Sequence, residues 1–392
     1  MRESGDIGAA VVGTGFIGAV HVDALRRLGI EVTGVVGSSP ARAAEKAAAA
    51  GLPAPYESFD AMLADERVDV VHVTSPNHLH AEHVRAVLAA GRHCVCEKPL
   101  AISTEETAEL VRLAEDSGLV HATNFNIRFY PLVQEARARV AGGEVGAVRL
   151  VHGGYLQDWL LLETDWNWRL ERAVGGPLRA VGDIGSHWID LVGHVTGLRV
   201  EAVLADLATF IPVRRRPAGP VETFGGGSGP TVEQPVDTED AAAVMLRLEG
   251  GARAIATISQ VSAGRRNRAH FELDGARSAL AWDSERPEAL WIGHRGRPNE
   301  VLLRDATLMH ERVATTTHLP AGHAEGFADT FRELYRVVYR AVAAGGPPAD
   351  PDYPTFHDGH RSMLIGEAIA RSAREGRWTP VPTADRVPEE AM

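Results

Sequence analysis

The feature that most constrains this chain is a glycine motif close to its start. Residues 13–18 read Gly-Thr-Gly-Phe-Ile-Gly, which is the G-x-G-x-x-G spacing, and they follow the apolar run Ile7–Val12. A strand leading into such a motif and a helix leading out of it form the phosphate-binding turn of a dinucleotide fold. The first glycine allows the tight turn, the second admits a pyrophosphate, and the third allows close helix–strand packing. We therefore expect these residues to contact the phosphates of a dinucleotide: Gly13, Gly15, Phe16, Ile17 and Gly18.

Apolar runs and helix signals alternate through the first third of the chain. The runs are typical of buried strands: Ile7–Val12, Val32–Val36, Val68–Thr74, His93–Cys96 and Leu119–Asn124. Between them lie helical patterns, one of which opens on the capping-box signature Ser103-x-x-Glu106. Strands that alternate with helices predict βαβ units and a parallel sheet. We expect a Rossmann domain that binds NAD or NADP over residues 1–126.

The pattern changes after residue 126, where short strand-like runs follow one another. Four such runs, at 241–248, 253–261, 269–273 and 278–282, are joined by turn signals. They predict an antiparallel sheet, and with the nearby helical patterns an α+β domain over residues 127–392. Residues 211–235 are rich in Pro and Gly, which predicts a loop insertion with the arginines at 214–216 in solvent. The helix predicted at 355–373 is a candidate to pack back on the first domain.

Composition excludes several classes of protein. The 392 residues are 45% apolar and 23% charged, which is typical of globular domains with sizeable cores. The net charge of −12 argues against a nucleic-acid partner, and no apolar run approaches the ~20 residues that span a membrane. Cys94 and Cys96 face one side of a single predicted strand and are too few for a disulfide framework, so we expect a reducing cytoplasm.

The end of the second predicted strand bears on the choice of cofactor. NAD-binding folds usually present Asp or Glu there to the ribose 2′-hydroxyl. Here the sequence reads Gly37-Ser38-Ser39-Pro40-Ala41-Arg42, with no acid. Ser38, Ser39 and Arg42 can accept a 2′-phosphate instead. The cofactor is thus expected to be NAD or NADP, and this stretch leans toward NADP.

Three short stretches supply groups for proton and hydride chemistry. Glu97-Lys98-Pro99 ends one parallel strand and Ser75–His80 ends another, at the sheet edge where open α/β sheets bind ligands. A glycine-rich approach to a helix carries Asp183 and His187, which share a face if helical phase already holds at Asp183. Histidine is suited to accept a hydroxyl proton, lysine to stabilise developing negative charge, and a carboxylate to orient the imidazole. We predict Lys98, Asp183 and His187 as the catalytic set.

At these residues the sequence resembles the Gfo/Idh/MocA oxidoreductase family, and the match runs through nearly the whole chain. Its marks are GTGFIG at 13–18, SPNHLH at 75–80, EKPL at 97–100 and DIGSHWID at 183–190, with RFYP at 128–131 and GHAEGF at 322–327. The combination is more specific than any single motif. A stretch from Tyr155 to Trp159, followed by Trp166 to Arg169, is similar to sugar dehydrogenases of the levoglucosan dehydrogenase type.

The resemblance implies a Rossmann domain followed by a domain with a large open sheet that often serves oligomer contacts, so we expect a homodimer or homotetramer. It gives Lys98, Asp183 and His187 the roles already predicted. It also implies these residues at the nicotinamide end: Ser75, Pro76, Asn77, His80, Glu97 and Lys98. For a sugar, anhydrosugar or polyol substrate it implies a pocket that would include Tyr155, Gln157, Trp168, Arg169, Asp183 and His187, to which we add Arg128 because it follows the last strand of the first domain.

Two other functions share this fold. A dinucleotide-binding sensor without turnover would not require the set Lys98, Asp183 and His187. A glycosidase that oxidises and re-reduces its substrate with a trapped NAD would show no net change in the cofactor, and the sequence leaves it open. We predict no metal site, because His78 and His80 do not share one helix face and no structural zinc spacing is present.

Overall fold

The computed structural model describes residues 6–219 and 230–383. The chain forms two compact units. The first unit contains the residues up to Asn126 together with Ala328–Met363, and the second contains Ile127–Phe327 together with the residues from Leu364 onward. Each unit has its own hydrophobic core.

The first unit is built on a five-stranded parallel sheet in the order β2-β1-β3-β4-β5. Its strands are β1 Gly8–Val12, β2 Glu31–Val36, β3 Val70–Val73, β4 His93–Cys96 and β5 His121–Thr123. Its helices from the first third of the chain are α1 Phe16–Arg27, α2 Pro40–Ala50, α3 Phe59–Leu63, α4 His80–Ala89 and α5 Thr104–Ser117. Strand order reverses between β1 and β3, which is where such sheets bind ligands. The predicted Rossmann fold is confirmed.

Two returning segments complete the first unit. α10 (Phe327–Ala344) buries Phe331, Tyr335 and Tyr339, and α11 (Phe356–Glu375) contributes its first two turns to the unit. In α11 His360 lies 2.8 Å from the Thr107 hydroxyl. The prediction named the helix at 355–373 as a segment that packs back on the first domain, but it left α10 in the second domain, whereas Ala328–Met363 as a whole belongs to the first unit. A sequence pattern shows that α10 is amphipathic, but not which core covers its apolar face.

The second unit contains a nine-stranded, mainly antiparallel sheet, as predicted, in the order β15-β14-β13-β12-β6-β11-β10-β7-β16. Among the described strands of this sheet, only β6 and β11 pair in parallel. Its strands are β6 Val148–Leu156, β7 Val200–Ala208, β10 Ala241–Leu248, β11 Arg253–Ser259, β12 Arg268–Gly275, β13 Ala279–Asp283, β14 Ala289–Gly293, β15 Glu300–Leu303 and β16 Thr379–Pro380. Its remaining helices are α6 Pro131–Ala141, α7 Arg172–Gly175, α8 Ser186–Thr196 and α9 Glu311–Ala314. Helix α8 packs on one face of the sheet, with Trp188 fully buried.

The segment predicted as a loop insertion at 211–235 contains a two-stranded arm. Its strands β8 (Val213–Pro217) and β9 (Thr231–Pro235) pair antiparallel, and residues 220–229 lie outside the described residues. The prediction that the arginines at 214–216 lie in solvent is wrong for Arg214, whose side chain is fully buried. The composition of the segment gave no sign of this burial, because the carboxylate that binds Arg214 belongs to Asp240, 26 residues further along the sequence.

Within residues 6–219 and 230–383, no helix combines the length and the apolar character needed to cross a bilayer. Cys94 and Cys96 are buried in β4 as free thiols.

Candidate active site

The glycine turn between β1 and α1 has the shape of a phosphate site. Gly13 has a φ of 119°, and a Cβ there would lie 2.6 Å from the Thr74 carbonyl oxygen, so only glycine fits. A Cβ on Gly18 would collide with the Gly13 carbonyl oxygen. Gly15 differs, because a Cβ there would meet nothing within 4 Å. It is the N-cap of α1 and no side chain caps that helix, so the approach to the helix start is open. The turn therefore fits a pyrophosphate.

The end of β2 has no room for an acidic side chain. A Cβ on Gly37 would lie 2.8 Å from the Ala43 Cβ on α2. The Ser39 hydroxyl caps α2 by accepting the Arg42 N–H at 3.4 Å, while Ser38 and Arg42 are exposed. Two hydroxyls and a guanidinium thus lie at the start of α2, where the helix dipole also favours an anion.

The end of β4 holds Glu97 in a defined orientation. Its Oε1 accepts the Asn124 amide at 2.5 Å and lies 3.1 Å from His21 Nε2, and its Oε2 accepts the Lys98 N–H at 3.1 Å. The Lys98–Pro99 peptide is cis. Because both carboxylate oxygens are engaged, the backbone at Lys98 is fixed to the core of the first unit.

A buried chain of hydrogen bonds continues from Glu97. His21 Nδ1 lies 2.9 Å from His72 Nδ1, and His72 Nε2 lies 3.0 Å from the Tyr339 hydroxyl. Burial lowers the pKa of His72 well below its usual range, and His21 lowers it further, so His72 is neutral. The direction of these hydrogen bonds follows from the ring tautomers: where His21 donates from Nε2 to Glu97 and accepts at Nδ1, His72 donates from Nδ1 and accepts the Tyr339 hydroxyl at Nε2. Sequence reasoning missed this chain, since its members are far apart along the chain.

His80 joins two strand-end loops. Its Nδ1 lies 2.7 Å from the Pro99 carbonyl oxygen and its Nε2 lies 2.7 Å from that of Ser75. Burial lowers the pKa of His80, and the hydrogen bonds to the Pro99 and Ser75 carbonyl oxygens oppose this shift. The predicted loop Ser75–His80 is thereby tied to the loop after β4. Asn77 lies in a 3-10 turn between β3 and α4, directly after Pro76.

In the second unit the predicted acid/base pair lies on a distorted helix start. Val181–Gly185 forms one π-helical turn that runs into α8, and such turns are frequent at functional sites. Asp183 lies in the π turn, and His187 is buried in the first turn of α8. Asp183 Oδ2 accepts the Gln260 amide at 2.8 Å, and its Oδ1 lies 3.3 Å from Arg169 Nε. The carboxylate is thus held from two sides.

The predicted sugar contacts Tyr155 and Gln157 meet at a residue that sequence reasoning missed. The Tyr155 hydroxyl and the Gln157 amide both donate to Asn267 Oδ1, at 2.7 and 2.8 Å. Gln157 Oε1 accepts Trp159 Nε1 at 2.8 Å. The Tyr155 ring lies 6.3 Å from that of His187, and burial raises the Tyr155 pKa, so the phenol stays protonated. Asn267 has no local signature because it lies in the turn before β12.

The remaining predicted contacts make other interactions in the second unit. The Arg169 guanidinium stacks 4.3 Å from the centre of the Trp168 ring. Arg128 forms a bidentate pair with Asp190, at 2.8 and 2.5 Å. Trp166 is buried in a small cluster with Leu160, Leu170 and Val236.

Each unit therefore gathers one group of predicted site residues. The first unit gathers the glycine turn, the α2 start, the Ser75–His80 loop and Glu97-Lys98. The second gathers Asp183, His187, Tyr155, Gln157, Trp168 and Arg169, with Arg128 paired to Asp190. In the described part of the chain, no three or more His, Cys, Asp or Glu side chains come together in a way that could hold a metal ion.

Two family models match the chain. The first, an oxidoreductase family with an NAD-binding Rossmann fold, matches residues 7–125. The second, the GFO/IDH/MocA C-terminal domain, matches residues 133–281.

Relatives and solved structures agree with these models. A levoglucosan dehydrogenase of Pseudarthrobacter phenanthrenivorans is 30% identical over 96% of this chain and 98% of its own length. A D-xylose 1-dehydrogenase (NADP(+)) of Haloferax volcanii is 32% identical over 59% of this chain and 70% of its own. A solved levoglucosan dehydrogenase, in complex with NADH and levoglucosan, superposes with a TM-score of 0.86 at 28% identity, covering 96% of this chain and 100% of that one.

Proposed function

The chain belongs to the Gfo/Idh/MocA family of oxidoreductases with an NAD-binding Rossmann fold, and on that premise we propose that it is a dehydrogenase of a sugar, anhydrosugar or polyol. The observation that carries the proposal is the carboxylate of Asp183, held by Gln260 and Arg169 one helical turn before His187. Sensors that only bind a dinucleotide have no use for such an acid/base pair. The similarity to a levoglucosan dehydrogenase over nearly the whole chain favours a carbohydrate substrate.

Each of the predicted site residues has a separate role in the proposed oxidation of the substrate hydroxyl. A bound nicotinamide cofactor supplies the acceptor for the hydride that leaves the substrate carbon. His187 takes the hydroxyl proton, so that the alcohol carbon becomes a carbonyl carbon. Lys98 stabilises the negative charge that develops on the substrate oxygen. Asp183 orients His187. The substrate is oriented by Tyr155, Gln157, Trp168 and Arg169. Arg128, which is paired with Asp190, helps to orient the substrate hydroxyls.

For the cofactor we propose a preference for NADP over NAD. Gly37 replaces the acid that would repel a 2′-phosphate, and its closeness to Ala43 leaves no space for a larger residue. Ser38, Ser39 and Arg42 offer donors at the α2 start. The glycine turn residues Gly13, Gly15, Phe16, Ile17 and Gly18 would hold the pyrophosphate. Ser75, Pro76, Asn77, His80, Glu97 and Lys98 would line the nicotinamide end.

We further propose a homodimer or homotetramer formed through the outer face of the large sheet. Leu204, Met245 and Ile255 lie side by side on β7, β10 and β11, and the last two are 39% and 46% exposed. Such an apolar row on a sheet face is typical of a protein interface. Cys94 and Cys96 are unbridged, which supports a reducing compartment such as the cytoplasm.

The test is turnover on a defined panel. Purified protein is mixed with NAD+ or NADP+ and with sugars, anhydrosugars or inositols, and absorbance of the reduced cofactor is followed. We expect turnover with at least one substrate, and a loss of about 10²–10⁴-fold in kcat/KM in Lys98→Ala and in His187→Ala. Lys46→Ala removes the other lysine of the chain and His152→Ala an exposed histidine, and both should behave as wild type.

The opposite outcome separates the alternatives. Tight cofactor binding without turnover in either direction would contradict the dehydrogenase. A glycosidase would then cleave glycosides at unchanged cofactor absorbance, and a sensor would do neither.

A further inference from the structure

A buried ion pair lies at the base of the β8–β9 arm. Arg214 and Asp240 are both fully buried, and Arg214 Nη2 lies 2.8 Å from Asp240 Oδ1. The same oxygen accepts Arg179, while Oδ2 accepts the N–H groups of Phe210 and Ile211 at 2.7 and 2.9 Å. Burial alone would raise the pKa of Asp240, but Arg179 and these hydrogen bonds outweigh it and lower the pKa, so Asp240 is ionised.

A first route leads from this pair to Asp183. Arg179 donates from Nη1 to Gln260 Oε1 at 3.4 Å, and Gln260 donates from Nε2 to Asp183 Oδ2 at 2.8 Å. A guanidinium has no acceptor, so the oxygen of the Gln260 amide must face Arg179 and its NH₂ must face Asp183. Gln260 is fully buried, so it has no solvent with which to exchange this orientation.

A second route uses the segment 158–171, which we call the tryptophan segment because it contains Trp159, Trp166 and Trp168. Arg214 donates to its carbonyl oxygens at Leu160, Leu162 and Asp165, at 2.9, 2.9 and 3.3 Å. The segment then carries Arg169, whose Nε lies 3.3 Å from Asp183 Oδ1. Fixing the segment therefore fixes the partner of the second oxygen.

We propose that Arg214 and Asp240 are positioning residues for Asp183, because one buried pair fixes partners of both its carboxylate oxygens by separate routes. The proposal rests on the role assigned to Asp183 under the proposed function. A buried ion pair adds little stability compared with apolar residues of the same volume. Apolar residues, however, would neither orient Gln260 nor hold the carbonyl oxygens of the tryptophan segment. Catalytic groups need to be held within ~0.5 Å of their productive position, and this pair is built to do so.

The neighbouring residue offers a matched control. Arg215 lies on the same arm and also contacts the tryptophan segment, through Glu163 at 2.9 Å. Both side chains of that pair are more than half exposed, at 53% and 55%. Replacing Arg215 with Met removes the same charge as replacing Arg214, but it leaves the Arg214 hydrogen bonds to the carbonyl oxygens of the segment and the Gln260 route in place.

The experiment compares Gln260→Met, Arg214→Met, Arg214→Lys and Arg215→Met. Gln260→Met interrupts the first route without removing a buried charge, so it remains informative if Arg214→Met does not fold. With the substrate and cofactor found in the panel, we expect kcat to fall about 10- to 100-fold in Gln260→Met, with KM for the cofactor unchanged. The acid limb of the kcat/KM profile should move to higher pH, because a carboxylate that loses a donor is protonated more easily. Arg214→Lys should recover part of the loss in Arg214→Met, and Arg215→Met should match wild type.

Crystal structures of Gln260→Met and Arg215→Met show the position of the Asp183 carboxylate directly, without any substrate. The Asp183 carboxylate should turn from its wild-type position in the first variant only. An unmoved carboxylate, or a lowered melting temperature with unchanged kcat and pH profile, would show that the pair serves stability alone and would overturn the proposal. A wild type without turnover but with a displaced carboxylate in Gln260→Met would instead refute the proposed function and leave the positioning intact.

Discussion

Two glycines of one turn, Gly13 and Gly15, are needed for different reasons. Gly13 has a positive φ and no space for a Cβ, whereas a Cβ on Gly15 would project into open space. We expect Gly13→Ala to destabilise the protein by about 1–3 kcal/mol or more, because it combines backbone strain with a clash. Gly15→Ala should leave the melting temperature unchanged and weaken dinucleotide binding at least tenfold, because its methyl group takes the place of the pyrophosphate. Thermal melts and cofactor titration of both variants check this.

A Gly15→Ala variant that binds dinucleotide as tightly as wild type would contradict the placement of the pyrophosphate at this turn. Ala141→Gly, at the last position of α6 in the second unit, provides a control for a change of the same size.

Arg42 should decide between the two cofactors. We expect Arg42→Ala to raise the KM for NADP+ roughly tenfold or more, because a charge-assisted hydrogen bond contributes about 1.5–3 kcal/mol, and to change the KM for NAD+ little. Steady-state kinetics with both cofactors measure the ratio. Arg26→Ala, which removes an arginine from the last turn of α1, is the control. Equal effects on both cofactors would mean that Arg42 does not meet the 2′-phosphate.

At the residue scale, what sequence predicts depends on how local the physics is. The glycine turn was predictable because its G-x-G-x-x-G spacing is complete within six residues of chain, although Thr74, far along the sequence, also limits the space at Gly13. Gln260 and Asn267 were not, because each matters only through partners 77 and 110–112 positions away. An amide side chain just after an apolar strand, as Gln260 is, carries no mark that tells a structural role from a role in positioning Asp183.

Among the elements, the β8–β9 arm shows how composition misleads. Its Pro and Gly content predicted a loop, and its arginines predicted solvent exposure. Strand pairing joins the two ends of the segment, 213–217 and 231–235, across a stretch rich in Pro and Gly. The burial of Arg214 depends on residues outside the segment, Leu160 and Asp240. The π turn before α8 was likewise not predicted, because the sequence fits a regular helix as well.

The contact between β5 and α11 should make stability depend on pH. His121 on β5 accepts the Phe356 N–H at 3.2 Å, and burial, with His357 nearby, lowers its pKa to about 4, while Asp358 opposes this. In the unfolded chain the histidine pKa is ~6.5. Between pH ~6.5 and about 4 the unfolded chain therefore binds more protons at this histidine than the folded chain does. The free energy of unfolding consequently decreases as the pH is lowered through that window. From pH 7 to pH 5 this histidine should contribute a loss of about 2 kcal/mol.

His121→Asn keeps an acceptor for the Phe356 N–H and removes the titration. Denaturant unfolding at pH 7 and pH 5 should therefore show a smaller loss for this variant than for wild type, by about 2 kcal/mol. His152→Asn, an exposed histidine, should retain the wild-type loss. An identical loss in wild type and His121→Asn would contradict the prediction.

On the scale of the whole molecule, the outer face of the large sheet should control assembly. Ile255 and Met245 are direct partners across β10 and β11 and point away from the core. We expect Ile255→Lys to shift the protein from an oligomer to a monomer, because it would place a charge in a desolvated interface. Light scattering after size exclusion measures the mass.

Leu308→Lys, at a residue 62% exposed outside the sheet, should leave the mass unchanged. A wild type that is itself monomeric, or an Ile255→Lys oligomer of unchanged size, would contradict assembly through this face.

The first unit is assembled from two stretches of chain that are 201 residues apart, Asn126 being followed in that unit by Ala328. During synthesis the ribosome completes the whole of Ile127–Phe327 before it makes α10, the helix that covers His21 and His72 with Tyr335 and Tyr339. Until then the imidazoles of His21 and His72 lack these ring and hydrogen-bond partners. The first unit can therefore complete its packing only after its second stretch, Ala328–Met363, has been synthesised.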